Sequence, residues 1–250
     1  MSKPYTMWSL RQGERLFVWL GGLLFVSSLA GCAYSYVVLW AALDRPLVHF
    51  PLGTGLDHLA PGLPALVCDL SLLGLFTIHH SVFARDRVKR WLANTIAERL
   101  LKSVYVWTAS VLLIIVCVLW QPIGGSLYRA TGWLAVAHAI VQLTGVLLIA
   151  RSVSVIDALE LAGIRRTQVV APLQVTGPYR LVRHPVYLGW ILALFGTAHM
   201  TGDRLTFAAI TTIYLLVAIP WEERSLVSTF GDEYERYKRH VKWRVVPFVY

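Results

Sequence analysis

The chain has 250 residues, 56% of them hydrophobic and only 15% charged, and its 23 Lys plus Arg outnumber 14 Asp plus Glu to give a net charge of +9. A soluble domain carries about 25% charged residues, so this chain lacks the charge to cover a water-facing surface. The composition excludes a soluble dinucleotide-binding enzyme, a disordered regulator and a secreted disulfide scaffold.

Six apolar segments follow one another: Leu16–Leu43, Leu59–Ala84, Ser103–Trp120, Thr131–Ala150, Val186–Met200 and Leu205–Trp221. Several reach the roughly 18 residues that cross a bilayer as a helix. Lys plus Arg in the seven flanks number 3, 1, 6, 1, 5, 1 and 6 from N- to C-terminus, a strict alternation that puts 20 of the 23 on one side. Cations collect on the cytoplasmic side of membrane proteins, so both termini and the two long basic loops are expected there. The basicity is accounted for by topology, and no nucleic-acid partner is expected. The expected fold is an all-α, polytopic helical membrane protein with about five to six transmembrane helices.

In the first segment, Leu29-Ala30-Gly31-Cys32 resembles a lipoprotein cleavage box, but the apolar run continues through Ala33–Leu43, as a first transmembrane helix requires. Cys32, Cys68 and Cys117 lie within apolar segments and lack the spacing of a disulfide framework or zinc site. Gly53-Thr54-Gly55 lacks the third glycine and the flanking elements of a dinucleotide fingerprint. No metal site is expected.

The second segment carries Asp69 and ends in His79-His80-Ser81. At 100° per residue Asp69, Phe76 and His80 share one face, with Asp69 about 16 Å from His80 along the axis. A histidine titrates near neutral pH, so His80 or His79 is a candidate base or substrate contact. His138 and Gln142, one turn apart in the fourth segment, read as interhelical hydrogen-bonding groups. Trp91, Trp107, Trp120, Tyr128 and Trp133 read as interfacial anchors.

Residues Arg151–Leu161 space Val153, Ile156, Leu159 and Glu160 as an interfacial helix that Gly163 ends. After it, Gly177-Pro178-Tyr179 forces a turn, and Pro185 stands where its missing N–H is harmless, at the first position of a helix. Arg183 and His184 thus precede a helix N-terminus, a combination suited to a carboxylate. A helical hairpin turning at Thr201-Gly202-Asp203 returns Glu222 and Glu223 to that level. A basic and an acidic pole facing each other across one pocket suit the zwitterionic head of an amino acid.

These residues resemble the integral-membrane S-adenosylmethionine methyltransferases, the superfamily of isoprenylcysteine carboxyl methyltransferase and the phospholipid methyltransferases. Its Gly-Pro-aromatic turn and Arg-His-Pro-x-Tyr-x-Gly stretch match Gly177–Tyr179 and Arg183–Gly189, and its Glu-Glu and Phe-Gly-x-x-Tyr-x-x-Tyr tail matches Glu222, Glu223, Phe230, Gly231, Tyr234 and Tyr237. His79–Arg85, Lys89-Arg90-Trp91 and Met200-Thr201-Gly202 are similar to the methanethiol S-methyltransferase branch. The resemblance implies a cytosolic S-adenosyl-L-methionine pocket built by the C-terminal third from Tyr179, Arg183, His184, Pro185, Tyr187, Leu188, Gly189, Glu222 and Glu223. It also implies catalytic roles for His80, His79 and Arg183, and a small or lipophilic thiol as acceptor. Carboxyl or phospholipid N-methylation is the alternative chemistry. A haem-binding family shares the histidine-rich second span and Arg-His-Pro, but the tail motif favours methyl transfer. The chain divides on this reading into substrate-side helices, 1–150, and a cofactor-binding part, 151–250, in what is expected to be a bacterial inner membrane. Oligomeric state is not legible.

Overall fold

A computed structural model describes residues 11–42, 62–83, 85–155, 159, 162–164 and 172–250. Helix α1 (Gln12–Tyr34) continues through one wide turn, Ser35–Leu39, into Trp40–Ala42. It is followed by α2 (Leu63–Phe83), the short basic α3 (Asp86–Ala93) and α4 (Leu101–Leu119), which extends a 3₁₀ turn at Glu98–Leu100. Strand β1 (Ser126–Arg129) leads into α5 (Gly132–Val153). After a 3₁₀ turn at Gly177–Arg180 come α6 (Pro185–Phe195), strand β2 (His199–Thr201), α7 (Gly202–Phe230) and α8 (Asp232–His240). Among the described residues five helices, spanning Gln12–Ala42, Leu63–Phe83, Glu98–Leu119, Gly132–Val153 and Gly202–Phe230, are long and apolar enough to cross a membrane. The chain is an all-α polytopic integral membrane protein, and the one sheet among the described residues is a two-stranded antiparallel pair.

Val186–Met200 differs from expectation. Its helix has only 11 residues, about 16 Å at 1.5 Å per residue, half of a 30 Å hydrocarbon core. Gly196 ends it, where an added Cβ would lie 2.6 Å from the Gln142 backbone nitrogen. The chain then leaves the helix to pair with β1, Met200 opposite Tyr128 and His199 opposite Arg129. Apolarity carried the predicted segment past a break set by backbone packing.

The molecule forms two compact units, Met1–Gly124 with Ala158–Val170, and Gly125–Asp157 with Ala171–Tyr250. The fourth span, expected within the N-terminal part, groups with the C-terminal residues. In the first unit α1 packs on α4, and Gly21 faces Trp107, whose indole Nε1 donates to Phe17 O at 2.9 Å. Trp40 and Trp120 meet with ring centroids 4.4 Å apart. Trp107 and Trp120 are therefore packing residues, whereas Trp91 and Trp133 are exposed as anchors should be. Helix α1 runs unbroken through Cys32, which is buried, as is Cys117, and all three cysteines are free thiols.

Asp69 is fully buried and its Oδ1 accepts from the Gln121 backbone N–H at 2.9 Å, just beyond the end of α4. A buried acid is tolerated where it satisfies such a donor. In the second unit α5 and α6 approach backbone to backbone through Gly145 and Gly189, where an added Cβ would meet the other glycine's carbonyl at 2.6 and 2.8 Å. Small residues give membrane helices this closeness, and Gln142 Nε2 seals it by donating to Ala193 O at 2.9 Å. His138 lies against the Tyr128 ring. The expected 151–161 helix falls partly outside the described residues, α5 itself ending at Val153. Gly163 has φ +71°, the left-handed conformation of a helix-ending glycine, packed against Ser103 and Val106. Gly53-Thr54-Gly55 lies outside the described residues.

Candidate active site

In the second unit, the Gly-Pro turn folds as expected into the 3₁₀ turn, with Gly177 at φ +59°, and Pro185 occupies the first turn of α6 behind His184 as N-cap. The long arm α7 returns Glu222 and Glu223 beside them. The two poles do not face each other across a gap but touch. Arg183 Nε donates to Glu223 Oε1 at 2.7 Å, both side chains only 7% exposed, and Arg183 Nη1 donates to the carbonyls of Val241 and Lys242 at 2.8 Å each. Glu223 Oε2 also accepts from Arg244 Nε at 3.3 Å. His184 Nε2 stands 3.5 Å from Glu223 Oε1, an electrostatic approach rather than a hydrogen bond. Arg183, expected to receive a carboxylate from outside, spends these donors inside the protein. At 2.7 Å a guanidinium and a carboxylate satisfy each other, and the carbonyls of the C-terminal segment take the adjacent N–H groups.

Glu222 is the outward acid. Its side chain is 45% exposed, its Oε2 accepts from Tyr187 Oη at 2.6 Å and lies 3.6 Å from His184 Nδ1. The His184 and Tyr187 rings stack at 5.2 Å. Tyr237 Oη donates to Tyr179 O at 2.7 Å, fastening α8 to the turn, and Tyr234 and Tyr237 pack with Val241 against Leu226, Val227 and Phe230. Burial, helped by the negative Glu222, pushes the Tyr179 phenol above its usual pKa, and burial raises Tyr234 and Tyr237 as well. These phenols stay neutral at physiological pH. The backbone N–H groups of Arg183 and His184 donate to Trp243 O and Arg244 O at 2.9 and 2.8 Å. The segment after α8 thus lies alongside the motif as a third wall. Pro185 and Gly189 are buried in the packing of α6, and Leu188 is half-buried.

Beside the turn opens a cavity of about 670 Å³, lined by Thr144, Leu147, Leu148, Arg151, Ser154, Val155, Thr176, Gly177 and Pro178. Sequence reasoning missed it, because its lining belongs half to a span and half to a loop. It also missed Arg244, one cation among the six of the C-terminal flank.

In the first unit, His79 and His80 close α2. His80 Nδ1 is 2.6 Å from Tyr105 Oη on α4, and His79 is buried between Phe83 and Tyr105. The shared face of Phe76 and His80 is borne out by their stacked rings, 5.9 Å apart.

Residues 130–233 match the phospholipid methyltransferase family. The chain is 33% identical to methanethiol S-methyltransferase 1 of Bradyrhizobium diazoefficiens over 93% of its own length and 85% of the relative. It is 32% identical to a methanethiol S-methyltransferase of a Pseudomonas species, over 92% and 93%. Nurim of Pan troglodytes, whose name states no activity, is 30% identical over 66% and 69%. No solved structure gives a significant match. The Arg-His and Glu-Glu cluster thus sits in a chain that belongs to the integral-membrane methyltransferases of the methanethiol S-methyltransferase type.

Proposed function

We propose that this protein transfers the methyl group of S-adenosyl-L-methionine to a small or lipophilic thiol at the cytosolic face of a bacterial inner membrane, with both termini in the cytoplasm. The observation that carries the reading is the cluster of His184, Tyr187, Glu222 and Glu223 about Arg183, in the same unit as a cavity of suitable chemistry that opens at the Gly177-Pro178 turn. That cavity offers an apolar wall of Leu147, Leu148, Val155 and Pro178 with an exposed guanidinium, Arg151, and the hydroxyls of Thr144, Ser154 and Thr176. A nucleoside joined to an amino acid needs this mixture of flat apolar surface and polar ends, so the residues present fit the cofactor. Glu222, half exposed and aligned by Tyr187, is suited to its ammonium group. Arg183, fixed by Glu223 and the Val241 and Lys242 carbonyls, orders the loop and tail that would enclose it, and Tyr179, Pro185, Leu188 and Gly189 belong to that same turn and helix start. The bound cofactor supplies a sulfonium methyl.

The chain's own contribution is to hold that group in line with the acceptor and exclude water. It must also favour the thiolate, since a free thiol has a pKa near 8.5 and is mostly protonated at neutral pH. The histidine pair of α2 is suited to accept the thiol proton, its ordinary pKa lying near the working pH. The alternation of flanking cations supports the cytosolic placement of the motif.

Calorimetric titration of the detergent-purified chain with S-adenosylmethionine, alongside Glu222→Gln, tests the reading. Micromolar binding weakened at least tenfold in the variant, followed by methylation of methanethiol in an acceptor screen, is the expected result. Absence of binding by the unaltered chain would refute it.

A further inference from the structure

The structure treats the two adjacent histidines of α2 differently. His80 is exposed and engaged through Nδ1 by the Tyr105 hydroxyl at 2.6 Å. His79 is only 7% exposed, with its ring 4.4 Å from that of Phe83 and nearly parallel to that of Tyr105, 16° at 5.5 Å. Neither Nδ1 nor Nε2 of His79 has a hydrogen-bond partner among the described residues. A buried polar group left unpaired costs about 1–3 kcal/mol, and a phenylalanine would fill the same wedge without that penalty. A residue kept for packing alone has no use for two vacant nitrogens.

We propose that His79, rather than His80, is the proton acceptor, and that its aromatic wedge selects small thiols bearing a short apolar group; this rests on the thiol methyltransferase reading above. A neutral imidazole nitrogen accepts an S–H proton, and ring edges favour sulfur and methyl contacts. Large polar thiols gain nothing from Phe83 and Tyr105 and lose their hydration there. Tyr105 is a positioning residue, because one side chain stacks on His79 and bonds His80. In the step, the thiol proton passes to a His79 nitrogen and the sulfur forms its bond to the sulfonium donor's methyl carbon. The donor's own carbon–sulfur bond breaks, its electron pair staying on the donor sulfur. The imidazolium then returns its proton to water; His79 stands only four residues from the end of α2.

The test compares methanethiol with thioacetate, which is already ionised at neutral pH and needs no base. With the purified chain and S-adenosylmethionine, His79→Gln should lower kcat for methanethiol at least a hundredfold, the scale of general-base catalysis. It should lower kcat for thioacetate less than fivefold and leave the KM for the donor unchanged. His80→Gln should cost less than tenfold with either acceptor. Equal slowing of both acceptors by His79→Gln overturns the assignment and makes the residue structural. A methanethiol-selective loss in His80→Gln also overturns it, and because His80 is exposed this arm holds even where His79→Gln does not fold. A wild-type chain that binds the donor but methylates neither thiol refutes the thiol reading itself, and this assignment with it.

Discussion

Replacing Arg183 with methionine should loosen the segment that follows α8. The substitution keeps most of the aliphatic volume but removes the Nε bond to Glu223 and the two Nη1 bonds to the Val241 and Lys242 carbonyls. Breaking a buried ion pair from one side costs about 3–5 kcal/mol. Arg244 at 3.3 Å and His184 at 3.5 Å remain beside the stranded Glu223 carboxylate, which puts this case at the lower end, about 3 kcal/mol. At 1.4 kcal/mol per decade that is roughly a hundredfold in the local opening equilibrium. Hydrogen–deuterium exchange read by mass spectrometry on peptides covering 181–186 and 241–250 should show that loss of protection, whereas Arg224→Met, altering an exposed side chain, should show none. Unchanged exchange in Arg183→Met would mean that the tail is held by its backbone bonds alone, and would refute the clamp.

Gly189→Ala should strain the α5–α6 contact, since its Cβ would fall 2.8 Å from Gly145 O and from Ile149 Cγ1. Overpacking of this kind costs about 1–3 kcal/mol, seen as a lower melting temperature in detergent, while Gly31→Ala, which meets nothing within 4 Å, should melt as wild type. Asp69→Ala strands the Gln121 N–H and should destabilise by about 1–3 kcal/mol, read by the same melt. The raised phenols of Tyr234 and Tyr237 are buried neutral, so their contribution is complete below the unfolded pKa near 10 and is lost as pH rises beyond it toward the folded values. Melting between pH 8 and 11.5 should therefore fall steeply above 10. The Tyr234 hydroxyl has no partner among the described residues; Tyr234→Phe should be neutral or slightly stabilising at pH 7.5 and show a shallower alkaline fall.

Much of this architecture is legible in the sequence because a bilayer makes apolar length and cation placement strong signals. The five spans, the first-turn position of Pro185 and the Gln142 bridge all follow from residue type and spacing. The shortness of α6 does not, since hydropathy runs through Gly196 and cannot register that the α5 backbone passes too close for any side chain there. The partners of Arg183 were equally hidden. Spacing brings Arg183 and Glu223 to one level, but whether they grip each other or a ligand depends on where the Val241 and Lys242 carbonyls lie, and main-chain acceptors leave no mark in sequence. Trp107 and Trp120 looked like interfacial anchors because they stand near segment ends; burial against Gly21 and Trp40 is a property of the neighbouring helix.

The closed hairpin of α6, β2 and α7 bears on how the chain enters its membrane during synthesis. Arg183 precedes the hairpin and Glu222 and Glu223 lie late in its long arm, so the Arg183–Glu223 pair ties the two arms together at one end. The tip does carry Asp203 and Arg204, both buried, but they are adjacent and cancel in formal charge. Arg204 bonds Thr197 Oγ1 and the His199 carbonyl, while its own N–H is capped by Thr201 Oγ1. A loop that satisfies its own polar groups in this way crosses at far less cost than a bare charge, which is about 2.5–3.5 kcal/mol at mid-membrane. Beyond the long arm, the Val241 and Lys242 carbonyls return to Arg183 and close that end of the hairpin. Arg244 lies beyond both α7 and α8, so the Glu223 carboxylate holds its second guanidinium only while the segment after α8 is folded back onto the motif.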